Sequence, residues 1–180
     1  MAVTSRTPEI ALPVASLAAL RDSLVSSVGP DAAALALRQA GHAAGDAMHR
    51  ILSAGNPAAL TDLPAEKFWA LLTRLFSSRG WGQLAYSQVH SGVGSLEAAD
   101  WAEVRPEGNA GQPSCHFTTG ILANLLGQIA EAEVAVLEAE CRSRGDQRCR
   151  FLFGGADAVF AVYERIAAGD EPDAALARLG

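Results

Sequence analysis

Residues 134–153 read VAVLEAECRSRGDQRCRFLF, and this stretch carries most of the information about the fold. Apolar residues flank a polar segment that contains Gly145 and Asp146, which predicts two antiparallel strands, 134–142 and 148–154, joined by a turn. In such a hairpin Cys141 and Cys149 lie opposite each other and project to the same side of the sheet. The hairpin therefore brings two thiols together.

Two more residues extend this pair into a metal-binding set. Glu138 lies three residues before Cys141, so a straight strand would point the two side chains to opposite faces, and a β-bulge between them is expected if both bind one ion. Cys115 stands just before a predicted helix. Three thiolates and one carboxylate are typical ligands of a closed, structural zinc site. We therefore predict that Cys115, Glu138, Cys141 and Cys149 bind Zn²⁺.

The same residues allow other interpretations. Buried free cysteines behave as small hydrophobic residues, and Cys141 with Cys149 could form a redox pair. Glu138 could act as a base beside the ion, or water could replace it as a ligand. The odd number of cysteines, 3 in all, and the lack of an N-terminal secretory signal predict a reducing, cytoplasmic compartment.

The rest of the chain is predicted from its apolar periodicity. Predicted helices span residues 13–28, 30–54, 62–79, 117–129 and 156–168, with a short helix within 173–179. Residues 82–93 and 94–104 predict a second pair of strands, and residues 107–114 a loop. Residues 1–12 are expected to form a loose arm, and 13–180 a single α+β domain. In this domain, helices pack on a small antiparallel β-sheet, with N-terminal helices and a C-terminal helix.

Gly41 and Gly45 lie four residues apart on the predicted helix 30–54, so another backbone can approach that face closely. The approaching helix is either a different helix of this chain or the same helix of a second copy in a homodimer. The spacing agrees with both.

Charge and motifs exclude several functions. The net charge is -6 and Lys67 is the only lysine, so no basic surface is expected to bind nucleic acid. The apolar stretch at residues 10–20 is too short to span a membrane. Gly92 and Gly94 lack the third glycine of a dinucleotide-binding loop, and no nucleophile elbow is present. An enzymatic activity is therefore less expected than binding, although the sequence leaves it open.

Bulky apolar side chains on two helices and a strand indicate an apolar ligand pocket, although such side chains also form ordinary core. The predicted lining residues are Phe68, Leu72, Phe76, Trp81, Tyr86, His90, Phe117 and Ile121. Tyr86 and His90 are expected on one face of the first strand, where either could donate an orienting hydrogen bond.

The residues around the cysteines also carry a family resemblance. Cys115, Gly120 and Leu122, followed by residues 134–141, Gly145 and residues 149–151, resemble the 4-vinyl reductase (4VR) domain, also described as a predicted hydrocarbon-binding domain. The resemblance is specific over residues 115–153 and looser over 80–104. The zinc ligands of the sensor domains of phenol-responsive sigma-54 activators carry over to the four predicted ligands named above.

The resemblance implies a fold shared with subunits of the transport protein particle, built around an apolar pocket, and a homodimer. The function that it implies is non-enzymatic binding of a hydrophobic small molecule or lipid, as a sensor or carrier, in a zinc-stabilised bacterial domain. The alternative is a reductase or tetrapyrrole-handling protein of bacteriochlorophyll-type metabolism that acts with a partner. A third interpretation is a scaffold whose pocket is vestigial.

Overall fold

The computed structural model describes residues 7–56, 59–104 and 111–180. Its helices are α1 Val14–Val28, α2 Pro30–Ala54, α3 Ala65–Ser77, α4 His116–Ala130, α5 Ala156–Ala167 and α6 Pro172–Leu176. Its strands are β1 Ala85–His90, β2 Val93–Ala98, β3 Ala135–Glu140 and β4 Cys149–Gly154. These elements confirm the α+β class and each predicted helix and strand, with ends that differ by a few residues.

Glycine and proline separate the N-terminal helices. Gly29 ends α1 with φ +83°, a conformation that favours glycine, and Pro30 opens α2 at a position where its missing N–H costs nothing. Pro64 precedes α3 in the same way, so this helix begins later than its apolar pattern suggested.

The four strands form one antiparallel sheet in the order β1-β2-β4-β3. The chain returns from β3 to place β4 between β2 and β3, which leaves β1 and β3 as the edge strands. Register shifts occur in both edges, between Gln88 and His90 in β1 and between Glu138 and Glu140 in β3.

Apolar clusters cover both faces of the sheet. The larger joins α3 and α4 to one face and includes Phe76, Ile121 and Phe151. The smaller joins α5 and α6 to the other face and includes Leu152 and Val162. Phe151 and Leu152 are neighbours on β4, and both are fully buried because successive strand residues point to opposite faces.

Gly41 and Gly45 pack against α4 of the same chain. A Cβ atom at Gly41 would overlap the carbonyl of Phe117, and one at Gly45 would lie 2.6 Å from the carbonyl oxygen of Ile121. From the other side, Gly120 of α4 meets the carbonyl of Arg38 on α2. The small residues therefore serve a close helix crossing within the chain, the first of the two interpretations of their spacing.

The predicted arm and two predicted loops are described only in part. Residues 7–12 have neither helix nor strand, and both carboxylate oxygens of Glu9 accept hydrogen bonds from Arg79, at 2.7 and 3.0 Å. Residues 1–6, 57–58 and 105–110, which belong to the predicted arm and loops, lie outside the described residues. In the ranges that are described, no helix has the length and hydropathy needed to cross a membrane.

Candidate metal centre and apolar interior

The four predicted ligands meet in one buried site. Cys115 is the N-cap residue of α4, Glu138 lies in β3, Cys141 follows that strand, and Cys149 opens β4. Their donor atoms all lie within 4.8 Å of one another, and all four residues are buried. The site therefore ties the hairpin to the start of α4.

Local structure in the hairpin explains this convergence. The bulge between Glu138 and Glu140 changes the alternation of side chains, so Glu138 and Cys141 reach the same side, as predicted. A short 3-10 turn, Arg142–Arg144, then leads to Gly145, whose φ is +110°. Asp146 fixes the turn by accepting a hydrogen bond from the Cys141 N–H at 2.7 Å.

The sulfur positions fit a shared ion. Cys115 Sγ lies 3.9 Å from Cys149 Sγ. Two thiolates on a tetrahedral zinc with bonds of about 2.3 Å are expected to lie about 3.8 Å apart. A disulfide would need about 2.05 Å, and all three thiols are free in this structure.

Glu138 gives a second observation in favour of a cation. Its Oε2 accepts a hydrogen bond from the Cys115 N–H at 2.8 Å, whereas its buried Oε1 has no hydrogen-bond partner among the described residues. A buried carboxylate oxygen without a partner is costly, and a metal ion would remove that cost. The residues present therefore fit a metal ion.

The electrostatics of the cluster also call for a positive charge. Burial, and after it the Cys141 thiolate, raise the pKa of Glu138 well above its usual value. Hydrogen bonds from Cys115 and Cys149 lower the pKa of Cys141. The hydrogen bond with Cys115 lowers the pKa of Cys149, but the hydrogen bond with Cys141 and burial outweigh it and raise the value to about 12. Without a cation, the site thus concentrates its negative charge on one sulfur, whereas metal ligands must be deprotonated together.

Glu103 holds the start of α4 from the other side. Its carboxylate accepts hydrogen bonds from the Phe117 N–H at 2.9 Å, the Thr118 N–H at 2.8 Å and the Thr118 hydroxyl at 2.5 Å. Burial raises its pKa to about 7, against the lowering effect of these hydrogen bonds. The buried Arg21 of α1 donates to the Glu103 carbonyl at 3.1 Å. Sequence reasoning missed this cap because Glu103 lies far from the helix start in sequence.

Seven of the eight predicted pocket residues lie in one apolar region. Phe68, Leu72, Phe76 and Ile121 are buried in the larger cluster, and Trp81, Tyr86 and Phe117 pack against it half-buried. The rings of Trp81 and Phe117 are parallel within 5°, with centroids 5.9 Å apart.

His90, the eighth residue, lies apart at the end of β1. The register shift in this strand interrupts the alternation that was expected to keep it on the face of Tyr86. Its Nδ1 accepts a hydrogen bond of 3.4 Å from the Gly92 N–H, while the Tyr86 hydroxyl donates to Gln88 at 3.0 Å.

Three aromatic rings form what we call the aromatic trio: Trp69, Tyr86 and Phe153. Trp69 and Tyr86 stack at 3.8 Å between centroids and 11° between planes, and Phe153 lies 5.6 Å from Trp69. Phe153 pairs with Gly94 across the strands, and a Cβ atom at Gly94 would overlap its ring. Phe153 was not among the predicted residues; the glycine in the opposite strand was the available signal.

A separate open groove of about 830 Å³ lies between α2, α4, β3 and α5. None of the eight predicted pocket residues lines it. It is thus distinct from the apolar interior.

Comparisons with known proteins agree with this architecture. The 4-vinyl reductase (4VR) domain family matches residues 95–154, which include all four donor residues and run from β2 to the end of β4. No curated protein matches the chain in sequence.

Two solved structures have a similar fold. One is the phenol-responsive sensory domain of the transcription activator PoxR, solved with phenol, with a TM-score of 0.69 and 17% identity; the match covers 90% of this chain and 84% of that chain. The other is a vinyl-4-reductase family protein from Methanocaldococcus jannaschii, with a TM-score of 0.51 and 21% identity, covering 81% and 82% of the two chains. The family resemblance inferred from the cysteine motif is confirmed, and at these identities both structures show likeness of fold.

Proposed function

We propose, with residues 95–154 taken as a 4VR domain, that this chain binds a hydrophobic small molecule or lipid without catalysing a reaction and acts as a sensor or carrier. The observation that carries the proposal is the aromatic trio, which is only half-buried at the border of the larger apolar cluster. The similarity to a sensory domain solved with phenol supports an aromatic or comparably apolar ligand.

The ligand enters beside Phe153. Its ring covers Gly94, which has no side chain of its own, so rotation of this ring exposes a surface of β2 next to Trp69 and Tyr86. Aromatic rings prefer stacked or edge contacts at 4.5–7 Å or so between centroids, and a bound ring can replace Phe153 in such contacts. The Tyr86 hydroxyl, now bonded to Gln88, is available to orient a polar group of the ligand.

The ion at the cysteine cluster is a structural Zn²⁺. Four protein donors fill a tetrahedral shell and leave no open position for a substrate. Its role is to hold the hairpin against α4, and thereby to shape one side of the apolar interior.

The family resemblance leads us to propose a homodimer in the bacterial cytoplasm. Leu20, Val28 and Leu35 support an interface on α1 and the start of α2, because each is more than half exposed, at 55%, 55% and 57%. Sedimentation of the purified chain measures its oligomeric state directly.

Thermal unfolding with and without hydrophobes tests the binding function. At a ligand concentration about one hundred times Kd, binding contributes about 2.7 kcal/mol, which for a domain of this size raises Tm by about 5–10 °C. Suitable probes are phenol, an alkylphenol and dodecanoate. Phe117→Ala is expected to reduce the ligand-induced rise because its ring stacks on Trp81 in the interior.

Phe160→Ala is the matched control, since Phe160 is 58% exposed on α5 and lies outside the larger cluster. It is expected to keep the full ligand-induced rise. No rise with any of the three probes, or an equal loss in both variants, would contradict the proposal. A tetrapyrrole or flavin band in the absorption spectrum of fresh protein would favour the alternative of a redox or tetrapyrrole-handling function.

A further inference from the structure

The open groove of about 830 Å³ runs along the free edge of the sheet. Three consecutive residues of β3, Ala135, Val136 and Leu137, line it. Because successive strand residues point to opposite faces, a groove that all three line must open on the edge of the strand rather than on one face. Val136 packs with the larger cluster and Leu137 with the smaller, which agrees with this arrangement.

The two walls of the groove differ in chemistry. On one side α2 contributes the exposed cationic Arg38 and the exposed His42. On the other side α5 contributes Phe160 and Tyr163, which are 58% and 50% exposed and form an aromatic pair with centroids 6.0 Å apart. Asp157 stands at the beginning of this second wall.

We propose that this groove binds an extended peptide segment of a partner protein, which pairs with β3 as a fifth strand. β4 is the only strand that pairs with β3 within the part of the chain that the structure describes. At every second residue, therefore, the N–H and C=O groups of β3 point away from β4 and can form hydrogen bonds with an added strand. Main-chain pairing of this kind provides affinity, while pockets for alternate side chains provide specificity.

The walls specify the sequence pattern of the partner. Alternate side chains of an added strand face opposite walls. One set contacts Phe160 and Tyr163 and is expected to be apolar, whereas the other faces Arg38 and His42 and is expected to be acidic. The partner segment is thus an extended peptide in which apolar and acidic residues alternate. This site does not depend on the ligand proposed for the apolar interior.

A fluorescein-labelled six-residue peptide that alternates valine and glutamate, with both ends capped, tests the proposal by fluorescence anisotropy with the full, metal-loaded chain. Saturable binding is expected, together with slower amide hydrogen exchange in residues 135–137. Methylation of alternate peptide nitrogens removes the N–H donors of one edge and is expected to weaken binding by about tenfold or more. Replacing glutamate by lysine is expected to weaken it about two- to fivefold, in proportion to an exposed ion pair.

Two substitutions in the groove have matched controls outside it. Phe160→Ala and Arg38→Gln are each expected to weaken peptide binding. Leu35→Ala and Arg74→Gln change exposed side chains that do not line the groove, and are expected to leave it unchanged. All four positions are exposed, so the variants are expected to fold.

Three results would overturn the proposal. The first is the absence of saturable binding up to about 1 mM peptide. The second is equal binding of the methylated peptide, which would exclude main-chain pairing. The third is a concentration-dependent dimer that Phe160→Ala dissociates and the peptide does not, because a second copy of the chain would then occupy the groove.

Discussion

Replacing Cys149 by serine tests whether a cation joins the hairpin to α4. The Cys149 and Cys115 sulfurs, 3.9 Å apart, connect the first residue of β4 to the N-cap of α4. Serine is similar in size, but its hydroxyl is a poor substitute for a soft thiolate ligand. The substitution therefore removes a ligand without opening a large cavity, and most of the stabilisation by the metal should disappear.

The size of the effect follows from linkage. A metal that binds only the folded chain and is present at about a thousand times its Kd contributes about 4 kcal/mol. For a domain of roughly 150–250 residues, each kcal/mol corresponds to about 2–4 °C in Tm. The expected fall is therefore about 8–16 °C, whereas the lost burial of one sulfur accounts for only about 1 kcal/mol.

Thermal unfolding with and without a chelator, combined with elemental analysis, separates these contributions. The wild-type chain is expected to contain about one zinc ion and to lose stability with the chelator, while Cys149→Ser should contain little metal and show no further loss. Ser143→Ala is the control, because it removes the acceptor of a 2.8 Å hydrogen bond from Ser114 beside the site but no donor atom of the cluster. If the chelator lowered the Tm of Cys149→Ser as much as that of the wild type, the assignment of this thiolate would be wrong.

Two further substitutions test the elements that position α4. Gly41→Ala is expected to cost about 1–3 kcal/mol in urea unfolding, because its methyl group would overlap the Phe117 carbonyl, whereas Gly92→Ala, in open space, should cost far less. Glu103 has its pKa raised from 4.5 to about 7, so the folded chain binds a proton that the unfolded chain releases between these values, and stability falls as pH rises through this window. Glu103→Gln should remove about 3 kcal/mol of this pH dependence, measured as the difference in unfolding free energy between pH 5 and pH 8; an unchanged dependence would contradict the role of Glu103.

The metal cluster was predictable from sequence because most of its determinants are local. Cys141 and Cys149 meet through a hairpin whose turn residues are visible in the chain, and the odd spacing of Glu138 already required the bulge that the structure contains. The insertion of β4 between β2 and β3 was not predictable, since nothing in a strand's own residues states which edge it joins.

Long-range contacts account for what sequence reasoning left open. Gly41 and Gly45 indicated a close approach, but small residues do not specify their partner, and only the structure identifies α4. The Glu103 cap lies 15 residues from Thr118 in sequence, beyond the range of capping patterns. The pairing of Gly94 with Phe153 depends on the strand order, so the aromatic trio could not be assembled in advance.

Helix α4 explains why a metal at this position matters for the whole domain. The cysteine cluster fixes its N-cap residue, Glu103 binds the N–H groups of its first turn, and the glycine crossing with α2 holds its central turns. The same helix contributes Phe117 and Ile121 to the apolar interior. Since neighbouring sites that share an element do not contribute independently, loss of the metal also weakens the cap and the crossing. The metal centre is therefore a determinant of the shape of the proposed ligand site, although none of its four residues belongs to the aromatic trio.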